Sequence, residues 1–418
     1  MAALYDMLVS LTAALPRVQP AGIAVLAALL LGSAPARAQD APQPFQIKLS
    51  GYVNATGGGS VTQGAHASPL IEAEIEATPQ YKLPSGTVLA LRAAINVQGP
   101  SPTSQLAIPE ISAFAIGSFG RIEIGARAGF PQSLVGFTPS EIAFTAAEFG
   151  PEAGTRLDPD GRLPTAQLRT ELASAINRLT YLGYAARFYD DRSPKIIYLT
   201  PRSRGGLYAA FSYAPRTIRP SGFRLAGSGA APIPNRYRDL IQAAAAWTRR
   251  SEVVDLTLGA TWSHAIADGP SLVPRATRSD SISAGVTATF KDSLTLGLSA
   301  TYDGFSTRRS DDRTRRVPFG VIGGVNYVSG PWVIGGYYQH ASAASDRAPF
   351  IWDRVNISEV GMSYLADKNH DLLGAGAYTD VKLFASAYRF ALRRAEQSGL
   401  VSNQNAVVFL GGIRFSFF

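Results

Sequence analysis

The 418-residue chain has no cysteine, only four histidines and, beyond its first residues, nothing near 18 consecutive apolar residues. Without thiols it has no disulfide and no thiolate metal ligand, so packing and backbone hydrogen bonds must hold it together. Without an apolar run near the roughly 20 residues of a spanning helix, no transmembrane helix is expected. No Gly-Lys-Ser/Thr phosphate loop and no HExxH pair is present. His66, His264, His340 and His370 are scattered, and the neighbours Ser263 and His264 would point to opposite faces of a strand. No nucleophile–base constellation, metal site or cofactor is therefore expected. The formal net charge is +8, but basic and acidic residues are interleaved, which argues against nucleic-acid binding.

Residues 1–38 read as a secretory leader. Arg17 precedes an apolar run from Ala21 to Leu31, and Ala36-Arg37-Ala38 supplies a small-x-small cleavage pattern. Cleavage is expected after Ala38, leaving 39–418 as one domain with no evident linker.

What the remainder does contain is alternation. Sixteen short segments of period two run from Phe45 to Phe418, with connections alternately long and short. In the first, Phe45, Ile47, Leu49 and Val53 share a face, while Gln46, Lys48, Ser50 and Asn54 take the other. Glu72, Glu74 and Glu76 alternate with Ile71, Ala73 and Ile75, and three such glutamates cannot face hydrocarbon. Arg92 alternates with Leu91 and Ala93, and Arg121, Glu123 and Arg127 with Ile122, Ile124 and Ala126. In lipid every backbone polar group must be paired, so only helices and closed barrels span. The pattern predicts an all-β, 16-stranded antiparallel transmembrane barrel, apolar outside and polar within. Expected strand ends include Pro109–Gly117 for the fourth strand, Gly376–Phe390 for the fifteenth and Asn405–Phe418 for the last. Trp247, Trp262 and Trp332 share faces with aliphatic neighbours near strand ends and are expected in the membrane girdle.

One connection, about 128–194, is too long to be structureless and is expected to carry function. Thr138-Pro139-Ser140-Glu141 reads as a capping box opening a helix that stops at Gly150-Pro151. Glu141, Glu148 and Glu152 lie along one side of it, and a second helix is expected from about Pro164 to Asn177. Folded against the wall, this loop would show carboxylates to Lys48, Arg92, Arg121 and Arg127 across water. Opposed charge arrays of this kind impose a transverse field in a narrow passage. The competing expectation is that these bases form salt bridges with the lumen acids Glu72, Glu74, Glu76 and Glu123.

Three stretches carry a family resemblance. Lys48-Leu49-Ser50-Gly51-Tyr52-Val53-Asn54 and Phe119-Gly120-Arg121-Ile122-Glu123-Ile124-Gly125 resemble strands of Gram-negative general-diffusion porins of alphaproteobacteria. The third runs from Tyr198-Leu199-Thr200-Pro201-Arg202 to Ser212-Tyr213-Ala214-Pro215. The resemblance implies a trimeric outer-membrane channel whose third outer loop folds inward as a constriction. On it, Glu141, Glu148 and Glu152 match the loop acids, and Lys48, Arg92, Arg121 and Arg127 the wall bases. One departure stands out: Phe409, Ile413, Phe415 and Phe417 alternate, while the terminal Phe418 falls out of step. This leaves open the register of the strand that the barrel-assembly machinery would read.

The expected function is passive diffusion of small hydrophilic solutes and ions through a water-filled pore. Expected partners are membrane lipid and lipopolysaccharide, the latter bridged by the arginine-rich loop Arg308–Arg316. The alternatives are a channel selective for a sugar or anion, an outer-membrane enzyme such as a lipid hydrolase, and a soluble β-sandwich or propeller.

Overall fold

A side-chain period of two is satisfied by extended backbone, whose successive residues face opposite sides of a sheet. In the computed structural model of the chain the described residues are almost entirely strand and turn. They are 44–60, 65–66, 70–99, 106–127, 193–217, 237–267, 278–291, 293–304, 317–344, 352–368, 379–395 and 401–417. Six residues ahead of 193 join them: Leu179, Leu182, Gly183, Ala186, Phe188 and Asp191. The leader, the helices expected in the long connection and the arginine-rich loop lie outside the described residues.

The strands are Phe45–Ser60 (β1), Ala65–His66 (β2), Leu70–Lys82 (β3), Val88–Gly99 (β4), Leu106–Gly117 (β5) and Gly120–Ala126 (β6). Pro194–Leu199 (β7), Leu207–Arg216 (β8), Tyr237–Arg249 (β9), Val254–Ala267 (β10), Arg278–Phe290 (β11) and Leu294–Tyr302 (β12) follow. Phe319–Ser329 (β13), Trp332–Ala344 (β14), Trp352–Lys368 (β15), Thr379–Ala395 (β16) and Val401–Phe417 (β17) complete them. The two-residue β2 pairs only with the tip of β1, at Gly59 and Ser60. The other sixteen form one antiparallel ring in chain order, with β1 hydrogen-bonded to β3 on one side and β17 on the other. The closing seam runs from Gly51 opposite Phe417 to Ser60 opposite Val408. No strand edge of the ring is left open, as a lipid environment requires.

Three strands differ in their ends from expectation. β16 continues to Ala395 and β17 begins at Val401, because their ladder stays paired beyond the apolar alternation. β5 begins at Leu106, where a register shift in the β4–β5 ladder interrupts the alternation. The register at the C-terminus is also defined: Phe417 lies opposite both Gly51 and Thr379, in step with Phe415, Ile413 and Phe409. Phe418 lies outside the described residues.

Burial is inverted relative to a water-soluble protein. Leu91, Ile124, Leu298, Ile334 and Val360 are exposed on the outward face, Val360 at 67%. The inward face instead buries Ser112, Glu123, Gln242, Ser263, Ser283 and Gln339, with Glu123 at 0%. A large apolar band of this kind is stable only against hydrocarbon. No helix among the described residues is long and apolar enough to cross a membrane.

Candidate functional site: the lumen and its crossing segment

On β3 to β6 the inward face carries a charged network. Arg92 on β4 binds Glu76 on β3 and lies 3.6 Å from Glu110 on β5. Along β6 and the residue that follows it, period two brings Arg121, Glu123 and Arg127 to one face. Arg121 donates from Nε and Nη2 to Glu123 Oε2 at 3.0 and 2.7 Å, and Arg127 Nη1 donates to the same oxygen at 2.8 Å. Ser112 Oγ on β5 donates to the other carboxylate oxygen at 2.5 Å. Two guanidiniums and a hydroxyl thus compensate a fully buried charge, which alone would cost several kcal/mol. The Arg121 guanidinium also lies 3.8 Å over the Phe114 ring, which fixes its plane.

Glu74 lies opposite Tyr52 and Glu72 opposite Asn54 in the β1–β3 register, and Lys48 lies opposite Thr78 toward the short-turn end. The bases expected on the wall are thus placed on the inner face, and Arg92, Arg121 and Arg127 are held there by wall acids. Glu141, Glu148 and Glu152, expected to face them, lie outside the described residues.

The segment that returns to β7 defines a second part of the site. Gln339 Nε2 on β14 donates to the Leu182 carbonyl at 2.6 Å, and Gln242 Nε2 on β9 donates to the Phe188 carbonyl at 3.1 Å. In the sixteen-strand ring β14 stands eight places from β6, diametrically opposite the strand this connection leaves. Leu182 therefore stands on the inner wall across the bore from β6. Phe188 stands on β9, nearer the β7 strand that the chain then enters.

Close packing marks both anchors. Leu182 presses on β13 at Gly320, where a Cβ would overlap the Leu182 carbonyl, and Gly183 (φ +120°) lies against the Val321–Ile322 backbone. Phe188 is fully buried among Ala214, Tyr237, Leu240 and Ala265, its ring edge-on to Tyr237 with centroids 5.1 Å apart. Its φ of +66° is unusual for a non-glycine residue and costs of order 1–3 kcal/mol, held in place by that packing. The segment ends in a buried clasp. Lys195 Nζ lies 3.0 Å from Asp191 Oδ2 and donates to the Asp191 carbonyl at 2.6 Å, while Ser193 Oγ donates to Oδ1 at 2.7 Å.

Trp262 and Trp332 are exposed on the outward face, and Trp247 is half-buried there. Several lumen groups were not singled out from the sequence. Arg394 grips Asp353 through two hydrogen bonds of 2.7 and 3.1 Å, both side chains buried on the inner face. Arg414 lies 4.4 Å over Tyr52 across the seam. Period-two parity within β16 and β17 identifies both arginines as inward once the strand bounds are known.

Among solved structures, the chain is similar to porin variants from Rhodopseudomonas blastica. Two of them show 15% and 14% identity and TM-scores of 0.46 and 0.45, covering 89% of this chain and 100% of the other. A structure titled "Asymmetric conductivity of engineered proteins" is similar at 14% identity and a TM-score of 0.45 over the same shares. No curated protein matches the chain. A sequence model described as Gram-negative porin matches residues 23–382, most of the chain, and the protein belongs to that family.

Proposed function

We propose that the segment crossing the bore sizes the channel of this outer-membrane porin, and that the wall network polarises it. The porin itself is a water-filled channel for passive diffusion of small hydrophilic solutes and ions. The observation carrying the proposal is the pair of buried hydrogen bonds that plant residue 182 on β14, across the lumen from β6, and residue 188 on β9. In this reading Lys48, Arg92, Arg121 and Arg127 form the basic side of the constriction and Glu141, Glu148 and Glu152 the acidic side. A transverse field there favours hydrated polar solutes over apolar ones, which must displace oriented water.

Further parts of the reading rest on sequence. The leader is removed after Ala38, three copies assemble, and Trp247, Trp262 and Trp332 sit in the girdles. The assembly machinery reads the outward row Phe409, Ile413, Phe415 and Phe417, and lipopolysaccharide contacts the arginine-rich outer loop. The chain acts as a channel and not as an enzyme.

The test is single-channel recording of the refolded mature protein in a planar bilayer, with reversal potentials taken in a salt gradient. Discrete conducting steps are expected, and Arg92→Gln is expected to move the reversal potential toward cations. A folded barrel that conducts nothing would sink the reading, and saturable flux of a single solute would replace sieving by selective binding.

A further inference from the structure

The outward face changes character at the long-connection end of β14 to β17. Below that level it carries Ile334, Val360, Met362, Leu383 and Phe409, all exposed. Above it, strand parity brings Arg354 on β15 and Arg389 and Arg393 on β16 to the same outward face, and all three are exposed. Arg354 and Arg393 are direct cross-strand partners. Cβ atoms in such pairs stand about 4.5–5.5 Å apart, and like charges so placed destabilise the sheet.

Among the described residues no carboxylate relieves that repulsion. Asp353, next in sequence to Arg354, points inward and is held by Arg394. The outward neighbours are uncharged: Ser342 lies opposite Arg354, and Asn403 opposite Arg393. The Asn356 Oδ1 is already engaged by His340 Nδ1 at 2.7 Å and Tyr338 Oη at 3.1 Å. Its amide N–H groups add donors to a patch already rich in them.

Arg354 also stands at the edge of a cavity of about 410 Å³ on the same outward face. Tyr302, Phe319, His340 and Trp352 line it, and Trp352 donates its indole N–H to Ser342. Two guanidiniums with no carboxylate partner among the described residues thus stand at the border between apolar band and polar rim, Arg354 lining the aromatic recess.

We propose that Arg354 and Arg393 clamp the phosphate of an outer-leaflet amphiphile, with its apolar part running down past Val360 and Met362. Guanidinium forks match phosphate oxygens two at a time, and one bound phosphate removes the Arg354–Arg393 repulsion. A lipid fits better than a soluble anion, because the groups directly below the arginines are apolar and face hydrocarbon. The inference rests on the outer-membrane placement of the barrel and not on the proposed constriction, since both arginines lie outside the lumen.

The test uses the full mature barrel in phosphatidylcholine nanodiscs doped with either diphosphoryl lipid A or its dephosphorylated form. Lipid retained after detergent washing is then quantified by mass spectrometry. The wild type is expected to retain the phosphorylated form roughly tenfold better, about 1.4 kcal/mol in all, and R354Q/R393Q to lose that preference. Single-channel conductance of the variant should stay unchanged. Equal retention of the two forms by the wild type overturns the proposal without recourse to any variant, as does equal retention by wild type and variant. Full displacement by inorganic phosphate would make this a soluble-anion site and also overturn it. A variant that dissociates into single copies while the wild type does not would assign the patch to a contact between copies instead.

Discussion

Replacing Gln242 and Gln339 together by leucine should loosen the crossing segment without disturbing the barrel. Each leucine nearly preserves side-chain volume but removes the donor to a buried carbonyl, at Phe188 and Leu182 respectively. A buried acceptor left without its donor costs about 1–3 kcal/mol. The two glutamines stand on different strands and share no partner, so the costs add to about 2–6 kcal/mol. The ratio of seated to unseated segment then falls by a factor between roughly 30 and 10⁴. Neither substitution breaks a ladder hydrogen bond, so the folded barrel should still show its heat-dependent shift on a denaturing gel. Single-channel records are the assay. The wild type should give one narrow conductance level, the single variants occasional excursions, and Q242L/Q339L frequent switching among several levels. A double variant with the wild-type histogram, in a barrel shown to be folded, would refute the claim that these bonds hold the constriction.

Three other outcomes are expected. Glu123→Gln leaves Arg121 and Arg127 without their shared carboxylate, so reversal potentials should move toward anions. Unfolding in detergent should ease by about 3 kcal/mol, the low end for a broken buried pair, because the two arginines are not fully desolvated. Asp191→Asn strands the Lys195 charge where both side chains are fully buried, so the heat-induced gel shift should occur at lower temperature, by roughly 3–5 kcal/mol of stability. Val360→Arg puts a charge on the most exposed part of the apolar band and should cost about 2–4 kcal/mol in lipid, measured by refolding into vesicles. Val360→Leu should stay within about 0.5 kcal/mol, and equal effects of the two would contradict the placement of that face.

Much of the barrel was legible because period two is local: Ile122, Glu123 and Ile124 declare their faces without reference to any other strand. Closure followed from the requirement that no edge stay unpaired in lipid. The partners within the lumen were less accessible. Glu110, which shares Arg92 with Glu76, lies beside the register shift in the β4–β5 ladder, where parity is unreliable. Arg393 and Arg394 read as one basic doublet, yet the strand turns the first outward and the second onto Asp353. Asp191 and Lys195 have the spacing of a helical ion pair, whereas here the pair spans the entry into β7. The left-handed backbone at Phe188 and the docking of Leu182 on β14 depend on tertiary path alone, and no local sequence signal marks either.

The tether from the β6–β7 connection has a consequence for biogenesis. Its far anchor, Gln339, is synthesised some 150 residues after the segment it catches. Nothing can secure that end until the second half of the polypeptide has been delivered and the hoop drawn nearly shut. The nascent porin must therefore pass through a wide-mouthed stage, and its throat is fitted last.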